Sequence, residues 1–492
     1  MRKIDAFLDR HHRVLVWLIL PILGFLLHLH VFNRDLQGIH AWRQCETASN
    51  VLRFANEGFG IHDPHVYSLE WEGGLKRMEF PVMQFAMAKV VQWVGHEILV
   101  MRLMSFGVGL IGLWGFYLLV MGIWNDKRLA LLAAWCFMFS PVLFYYSVNP
   151  LPDNLALAAG IWGMALYVQA REKGVWTGHL MAAACFSLST LAKLPFVLLM
   201  AMPAVDIFIR MVTGKEGRLR QFGFGLLYVL LLLPAASWYA KVIPTWHGNG
   251  VVNGILDMDA SEWPAVLGTM FHHLISTLPE LLLNYGSVMF FLGGLFLVLK
   301  RKRIYRNPLF IPFLTMAGAC LAYFVFEINM IGTAHDYYLF PFLPGIFLLV
   351  VAGLEFSLRD SLPSIKIISL LCLISLPVLA MVRANPRWYK TGFPEDLLVH
   401  KQELQDLIPP NAKVLAGHDL SPHIFLYHLQ RQGWSFSKHQ IDSLQWQNRI
   451  QSGAGYLLSS DREIETNPVV NNSLKALVGG FGQLRVYTLK KQ

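Results

Sequence analysis

The sequence predicts a polytopic α-helical membrane protein with a small soluble α/β domain at its C-terminal end. Three observations predict this class. Apolar runs recur near the length needed to cross ~30 Å of hydrocarbon. Of the 492 residues, 55% are hydrophobic and 15% charged, with a mean hydropathy of +0.44. After Arg383 the composition turns abruptly polar. Soluble domains of ordinary composition do not look like this. The net charge of +9 is read by location, because Lys and Arg in such a chain mark cytoplasmic loops before they mark nucleic acid. No nucleic-acid partner is expected. Cys136, Cys185, Cys320 and Cys372 sit inside apolar runs and only Cys45 lies outside them, so neither a disulfide framework nor a metal pair is suggested.

The first span runs from Val14 to Phe32. Arg2, Lys3, Arg10 and Arg13 precede it and set the N-terminus in the cytoplasm. The run has no small-residue cleavage site, so it reads as a retained helix. The first outside loop, 33–96, contains HAWRQCETASNVLRFANEG, from His40 to Gly58. At 100° per residue, Arg43, Glu46, Asn50, Arg53 and Glu57 form one stripe, and Ala48, Val51, Leu52 and Ala55 lie opposite. This amphipathic helix is expected in the membrane interface, apolar side down and charged groups toward water. A second apolar helix opens at Phe80-Pro81 and stops at Gly95. It contains Gln84, Lys89 and Gln92 and is short for a span, which takes ~20 residues, so it too is placed in the interface.

Further spans then follow at roughly 98–124, 129–148, 154–170, 177–193, 195–209, 221–241, 286–299, 308–328, 338–357 and 367–382, about eleven in all. Charge decides this count. Cytoplasmic connections receive Lys127 and Arg128, then Arg171 and Lys173, then Arg210, Lys215, Arg218 and Arg220, then the run from Lys300 to Arg306, and finally Arg359 and Lys366. The short outside connections 149–152 and 329–337 contain no Lys or Arg. A second outside loop, 242–285, begins Gly/Asn-rich and continues as AVLGTMFHHLISTLPELLL, which has the composition of another interfacial helix. Residues 385–492 read as the soluble domain: a helix before Ile408, a strand KVLAG, a helix through HIFLYHLQ ending at Gly433, and strands GYLLSS and RVYTL. It has no phosphate loop or metal-ligand spacing, and is given a structural or acceptor-docking role.

With this topology the polar residues that a membrane penalises collect on the outer side. Loop one offers Asp35, His40, Arg43, Glu46, Asp63, Lys76, Arg77 and Glu79, and the next helix offers Arg102. Tyr145, Tyr146, Asn149 and Asp153 come from the third-to-fourth-span connection; Lys193 and the His335, Asp336, Tyr337, Tyr338 cluster lie at the same boundary. Taken singly, a lysine near a helix end snorkels, a tyrosine joins an aromatic belt, and Asp153 caps a helix. Together they fit displacement of a lipid phosphate by an acceptor nucleophile. Guanidinium and ammonium groups hold the phosphate, and a carboxylate takes the proton of the attacking hydroxyl.

The ordered set HAWRQCETA, EFPVMQF, VMRLMSFGVGL, FSPVLFYYSVNPLPDNLAL, LSTLAKLPFVLL and AHDYYLFPFLPGIFLLVVAGL resembles the GT-C glycosyltransferases. Within them it is similar to the bacterial branch that includes lipid A aminoarabinose transferases and relatives of the protein O-mannosyltransferases. The resemblance covers most of residues 1–360. It implies an inverting enzyme of the bacterial cytoplasmic (inner) membrane, with its C-terminal domain extracytoplasmic. Such an enzyme takes a sugar from a polyprenyl-phosphate carrier and passes it to a lipid, glycan or protein acceptor. The family's loop-one Asp corresponds here to Glu46, with Asp35 as second choice, and Asp153 to a second carboxylate near the acceptor. Arg43, Lys76, Arg77, Arg102, Lys193, His335, Tyr337 and Tyr338 become candidate donor or phosphate contacts. The Lys-Pro-Pro of the aminoarabinose transferases is Glu79-Phe80-Pro81 here, so Lys76 or Arg77 substitutes. A monophosphate donor requires no cofactor; a divalent metal held by Glu46 and Asp153 stays open. A polyprenyl-lipid flippase, expected to show repeat symmetry and midplane polar residues, and a non-catalytic scaffold are the alternatives.

Overall fold

The computed structural model describes residues 10–214, 217–246, 254–257, 259–300, 307–331, 335–359 and 362–490. Arg2, Lys3, Lys215, the basic run 301–306, the glycine-rich stretch 247–253 and Gln492 lie outside the described residues.

The apolar runs are helices. In chain order they are α1 (Arg10–His28), α2 (Ala41–Glu57), α3 (Val82–Val94), α4 (Glu97–Trp124), α5 (Lys127–Met138), α6 (Pro141–Tyr146), α7 (Pro152–Lys173), α8 (Trp176–Ala192), α9 (Leu194–Val212), α10 (Arg218–Thr245), α11 (Trp263–Leu282), α12 (Tyr285–Lys300), α13 (Phe310–Phe326), α14 (Asp336–Arg359) and α15 (Pro363–Tyr389). Among the described residues α1, α4, α9, α10, α14 and α15 are long and apolar enough to cross a membrane, and α11 with α12, bent by 102°, adds a seventh if the pair is one span. The protein is thus a multi-pass membrane protein. Pro141 divides the span expected at 129–148 into α5 and α6, because proline's ring and missing N–H interrupt the helical ladder. At 13 residues, ~20 Å of helix, α3 falls short of the hydrocarbon thickness. Its Trp93 is 93% exposed at the end of the helix.

The loop-one helix departs from its expected setting. Cys45, Ala48, Val51 and Leu52 are buried in a core shared with Met83 and Met87 of α3 and with Leu404, Phe425, Leu426 and Leu429 of the C-terminal domain. The apolar side meets protein rather than lipid. The charged side is buried as well, with Arg43 5% and Glu46 4% exposed, so it does not face open water. An amphipathic pattern records which side is apolar, but not whether lipid or another domain covers it.

The last long helix continues to Tyr389, so the boundary expected at 385 falls within it. Its end is stitched to loop one: Ile39 donates to the Arg387 carbonyl at 2.9 Å and Gln37 to that of Trp388 at 3.2 Å. Gly38, at φ +88°, lies against the Arg387 carbonyl where a Cβ would collide.

Beyond it, the C-terminal domain has a five-stranded sheet of order β2-β1-β3-β5-β4, with β1 (Lys413–Gly417), β2 (Gly433–Phe436), β3 (Ala454–Ser459), β4 (Leu474–Phe481) and β5 (Leu484–Leu489). β1 pairs in parallel with β2 and β3, and β5 pairs antiparallel with β3 and β4. The three strands expected are β1, β3 and β5. The helix expected to end at Gly433 is α16 (Ile424–Leu429); it stops earlier, at Gln430 with φ 50°, and Gly433 begins β2. The outer edge of β2 is covered by loop one. Ser68 bridges Gly433 in parallel, Leu69 donates to the Gly433 carbonyl at 2.7 Å, and Gly433 donates to that of Tyr67 at 3.1 Å. An edge that would otherwise offer unpaired amides is thereby closed from within the chain.

Candidate active site

Loop one builds one wall of a cavity of about 1290 Å³. After α2 the chain forms a small hairpin: His65 bridges Leu75, Val66 donates to the Gly74 carbonyl at 2.8 Å, and Lys76 donates to that of Pro64 at 2.9 Å. Gly73 and Gly74 make its turn with φ +61° and +80°, values that favour glycine. The hairpin returns Lys76 to the side of α2, which carries Arg43 and Glu46. Glu79 follows in a bend, just before Phe80, which donates to the Leu191 carbonyl at 3.1 Å. Opposite, α8 ends and Lys193 takes extended backbone (φ −161°, ψ 119°) before Leu194-Pro195 starts the next turn, which frees its side chain from the helix.

These five side chains form one row of alternating charge. Lys76 Nζ lies 2.7 Å from Glu46 Oε1, and Arg43 Nη1 2.6 Å from Glu46 Oε2. Arg43 Nη2 lies 2.6 Å from Glu79 Oε1, and Glu79 Oε2 is 3.8 Å from Lys193 Nζ. The row brings three cations and two carboxylates together within contact distance, and the cations suit an anionic ligand. Burial pushes the Glu46 carboxyl up, but Arg43, then Lys76 and His423, outweigh it and hold it well below the usual carboxylate range. Glu79 behaves alike: burial opposes ionisation, and Arg43 and Lys193 overcome it. For Lys76 burial dominates and lowers its pKa although Glu46 opposes. The imidazole of His423, 2% exposed, is pushed down to about 3 by burial and then by Lys76.

Of the residues singled out in the sequence, Arg43, Glu46, Lys76, Arg77, Lys193, His335, Tyr337 and Tyr338 all line the cavity. Arg77 sits at its rim, 40% exposed and paired with Asp63 at 2.6 Å. Lys193 Nζ stands 5.4 Å from the Tyr338 ring centroid. Tyr145, Tyr146 and Tyr337 are buried rather than set in an interfacial belt. Asp153, 1% exposed, is close enough to feel Lys193 and Arg43, and its Oδ2 has no hydrogen-bond partner among the described residues. It does not line the cavity.

Two candidates are brought elsewhere. Arg102 donates to the carbonyls of Arg34 (2.8 Å), Asp35 (3.0 Å) and Val148 (3.1 Å) and to Asn149 Oδ1 (2.7 Å). A guanidinium so committed ties two loops together and is not available to a donor. Asp35 pairs with Lys401 of the C-terminal domain at 2.9 Å, outside the cavity. Sequence reasoning missed His423, whose Nε2 is 3.1 Å from Lys76 Nζ. It also left Glu79 outside the proposed site, although Glu79 stands beside the prolyl turn that was singled out. The cavity wall further includes Trp42, Trp71, Trp238 and Trp246; the last two donate to the carbonyls of Met78 (3.1 Å) and Arg77 (2.9 Å). Among the described residues no three His, Cys, Asp or Glu side chains gather as a metal site would need.

Residues 79–239, which include Glu79, Asp153 and Lys193, match the family model described as dolichyl-phosphate-mannose-protein mannosyltransferase. No curated protein matches the chain by sequence. Among solved structures, ArnT from Cupriavidus metallidurans in the apo state is similar with a TM-score of 0.63 at 14% identity, over 95% of this chain and 97% of that one. ArnT bound to undecaprenyl phosphate gives 0.63 at 12%, over 96% and 98%. The Archaeoglobus fulgidus oligosaccharyltransferase, in complex with zinc and sulfate, gives 0.59 at 12%, over 94% of this chain and 71% of that one. The resemblance read from the sequence is borne out: the chain has the fold of the GT-C glycosyltransferases.

Proposed function

We propose that this chain, built on the GT-C glycosyltransferase fold, moves a sugar from a polyprenyl-phosphate carrier to an acceptor at the outer face of the membrane, with inversion. The observation that carries the reading is the row Lys76–Glu46–Arg43–Glu79–Lys193 on the wall of a large, tryptophan-rich cavity. Three closely spaced cations on a partly desolvated wall suit a phosphomonoester or phosphodiester leaving group. The cavity volume exceeds the 300–1,000 Å³ typical of a small-molecule site and leaves room for donor head and acceptor together. The likeness to a protein solved with undecaprenyl phosphate supports a polyprenyl-linked donor.

In this mechanism Lys193, Lys76 and Arg43 hold the phosphate and stabilise the charge it gains as the anomeric C–O bond breaks. Glu46 is the carboxylate that aligns the acceptor hydroxyl. Held so far below its ordinary pKa, it is a weak proton acceptor. Its main contributions are orientation of the nucleophile and stabilisation of positive charge at the anomeric carbon. Asp153, the second carboxylate, is buried beside Lys193 and Arg43 behind the cavity wall, and its part is electrostatic support of those cations. The reading routes no step through a metal. The N-terminus lies in the cytoplasm and the C-terminal domain outside, in about eleven spans, as the distribution of Lys and Arg supports. The test is reconstitution of the purified protein with undecaprenyl-phosphate sugars and cell-envelope glycolipids, read by mass spectrometry. A new glycolipid dependent on both donor and protein is expected. Transport of the carrier with no covalent product would sink the proposal.

A further inference from the structure

The C-terminal domain reaches the charged row directly. His423, on the turn before α16, lays its ring flat against Trp71 of the loop-one hairpin, with centroids 5.6 Å apart and planes 8° apart. The Lys76 ammonium lies 4.0 Å from the centroid of the same indole. His423 Nε2 is 3.1 Å from Lys76 Nζ and 4.0 Å from Glu46 Oε2. An ammonium offers only donors, so Nε2 accepts, and the proton of the neutral imidazole sits on Nδ1. Nδ1 has no partner among the described residues. Burying an unmatched donor costs stability, so its presence here marks a side chain held for what its other nitrogen does. The backbone agrees: residues 67–69 are paired to β2 beside the hairpin, and Arg449 holds Glu70 at 2.5 Å.

We infer that His423 is a positioning residue: from the C-terminal domain it accepts a hydrogen bond from Lys76, fixes that ammonium against Glu46, and so completes the phosphate-binding wall across the two parts of the chain. Two of the three Lys76 donors are then spent on Glu46 and His423, and one remains for a ligand. The buried imidazole stays neutral over the working pH range, so it holds Lys76 as a dipole without repelling it. The link to the donor rests on the glycosyltransferase reading, whereas the fixing of Lys76 does not.

Two polar variants test it in the full-length protein. In His423→Gln the amide oxygen reaches the position of Nε2; in His423→Asn it reaches only that of Nδ1. The first readout needs no ligand: acylation of Lys76 against pH, followed by peptide mass spectrometry. A lost acceptor removes support for the charged form, so Lys76 in His423→Asn becomes reactive at a pH lower by on the order of one unit, while His423→Gln follows the wild type. The second readout is binding of undecaprenyl phosphate, expected to weaken about tenfold in His423→Asn and to stay within about threefold in His423→Gln. Wild-type behaviour of His423→Asn in the acylation assay, or in the binding assay where the wild type binds undecaprenyl phosphate, or a Gln variant as impaired as the Asn variant, overturns the inference. If the acylation pattern holds but the wild type binds no undecaprenyl phosphate, the positioning of Lys76 stands and the polyprenyl-phosphate reading falls.

Discussion

Arg43 Nη2 and Glu79 Oε1 are 2.6 Å apart, and each side chain is only 6% exposed. Because the other arm of Arg43 holds Glu46, one guanidinium neutralises two buried carboxylates. Replacing it by alanine leaves both without their main partner, a loss of the kind that costs about 3–5 kcal/mol. Arg43→Ala should therefore lower the melting temperature markedly in detergent, whereas Arg43→Ala combined with Glu79→Gln should recover part of the loss. Equal melting of Arg43→Ala and wild type would show that the row is solvated.

Glu46→Gln keeps the shape and removes the charge. Turnover should fall by roughly 10²–10⁴ through loss of the orienting carboxylate, and the melting temperature should fall as well, because Arg43 and Lys76 both lose a buried partner. Asp35→Asn is the control. Its pair with Lys401 is partly exposed and outside the cavity lining, so it should cost no more than about 1 kcal/mol of stability and little turnover. A dead Asp35→Asn beside an active Glu46→Gln would reverse the assignment.

Lys193→Ala and Arg102→Ala should separate cleanly. Lys193 lines the cavity, and its loss should weaken donor use by on the order of 2–4 kcal/mol. Arg102 is spent on four protein oxygens and should affect melting rather than donor KM. Steady-state kinetics and thermal melts on both variants decide this, and a donor KM defect confined to Arg102→Ala would contradict it.

Stability should depend on acid in a defined way. His423 and His428 are each buried with a pKa near 3, so the unfolded chain binds two protons that the native chain refuses once pH drops below 6.5. Asp419 is pushed up to about 6 by burial and acts oppositely, its native form holding a proton that the unfolded one has lost. For these three groups the net difference between about pH 6 and 4 is one proton, a contribution that lowers stability by about 1.4 kcal/mol per pH unit on acidification. Below the ordinary glutamate range, Glu46 and Glu79, both held low, add to the loss. Denaturation midpoints against pH measure the slope, and a flat profile from 6 to 4 would mean that the two imidazoles are hydrated.

Topology is open to labelling. Cysteine placed at Lys173 should react with an impermeant maleimide only after permeabilisation, and cysteine at Asn448 should react in intact spheroplasts. Labelling of position 173 from outside would invert the protein in the membrane.

The long apolar helices were legible because crossing hydrocarbon demands a long apolar run, and the helices at 97–124 and 218–242 start and stop within a few residues of the runs expected there. The site was legible as a set of residue types, since loop one and the ends of the spans supplied eight of the residues that line the cavity. Partners were not. Nothing in the residues around Arg102 says that it will turn inward to four oxygens, nor that Asp35 will meet Lys401 from the far end of the chain. His423 was invisible for the same reason: a histidine before a short helix gains meaning only when the fold lays it on Trp71. Strand β2 was missed because GWSF is four residues long, and β4 because its two glycines and exposed positions erase the alternation of a half-buried strand.

The pairing of residues 67–69 with Gly433 has a consequence in time. A ribosome makes loop one early and its partner strand near the end, with nearly all the membrane helices in between. During that interval residues 67–69 lack their partner strand, because the contact joining them is among the longest in sequence separation that the chain makes. A nascent chain halted before Gly433 would hold its membrane helices complete while Tyr67 to Leu69 still wait for the strand they pair with.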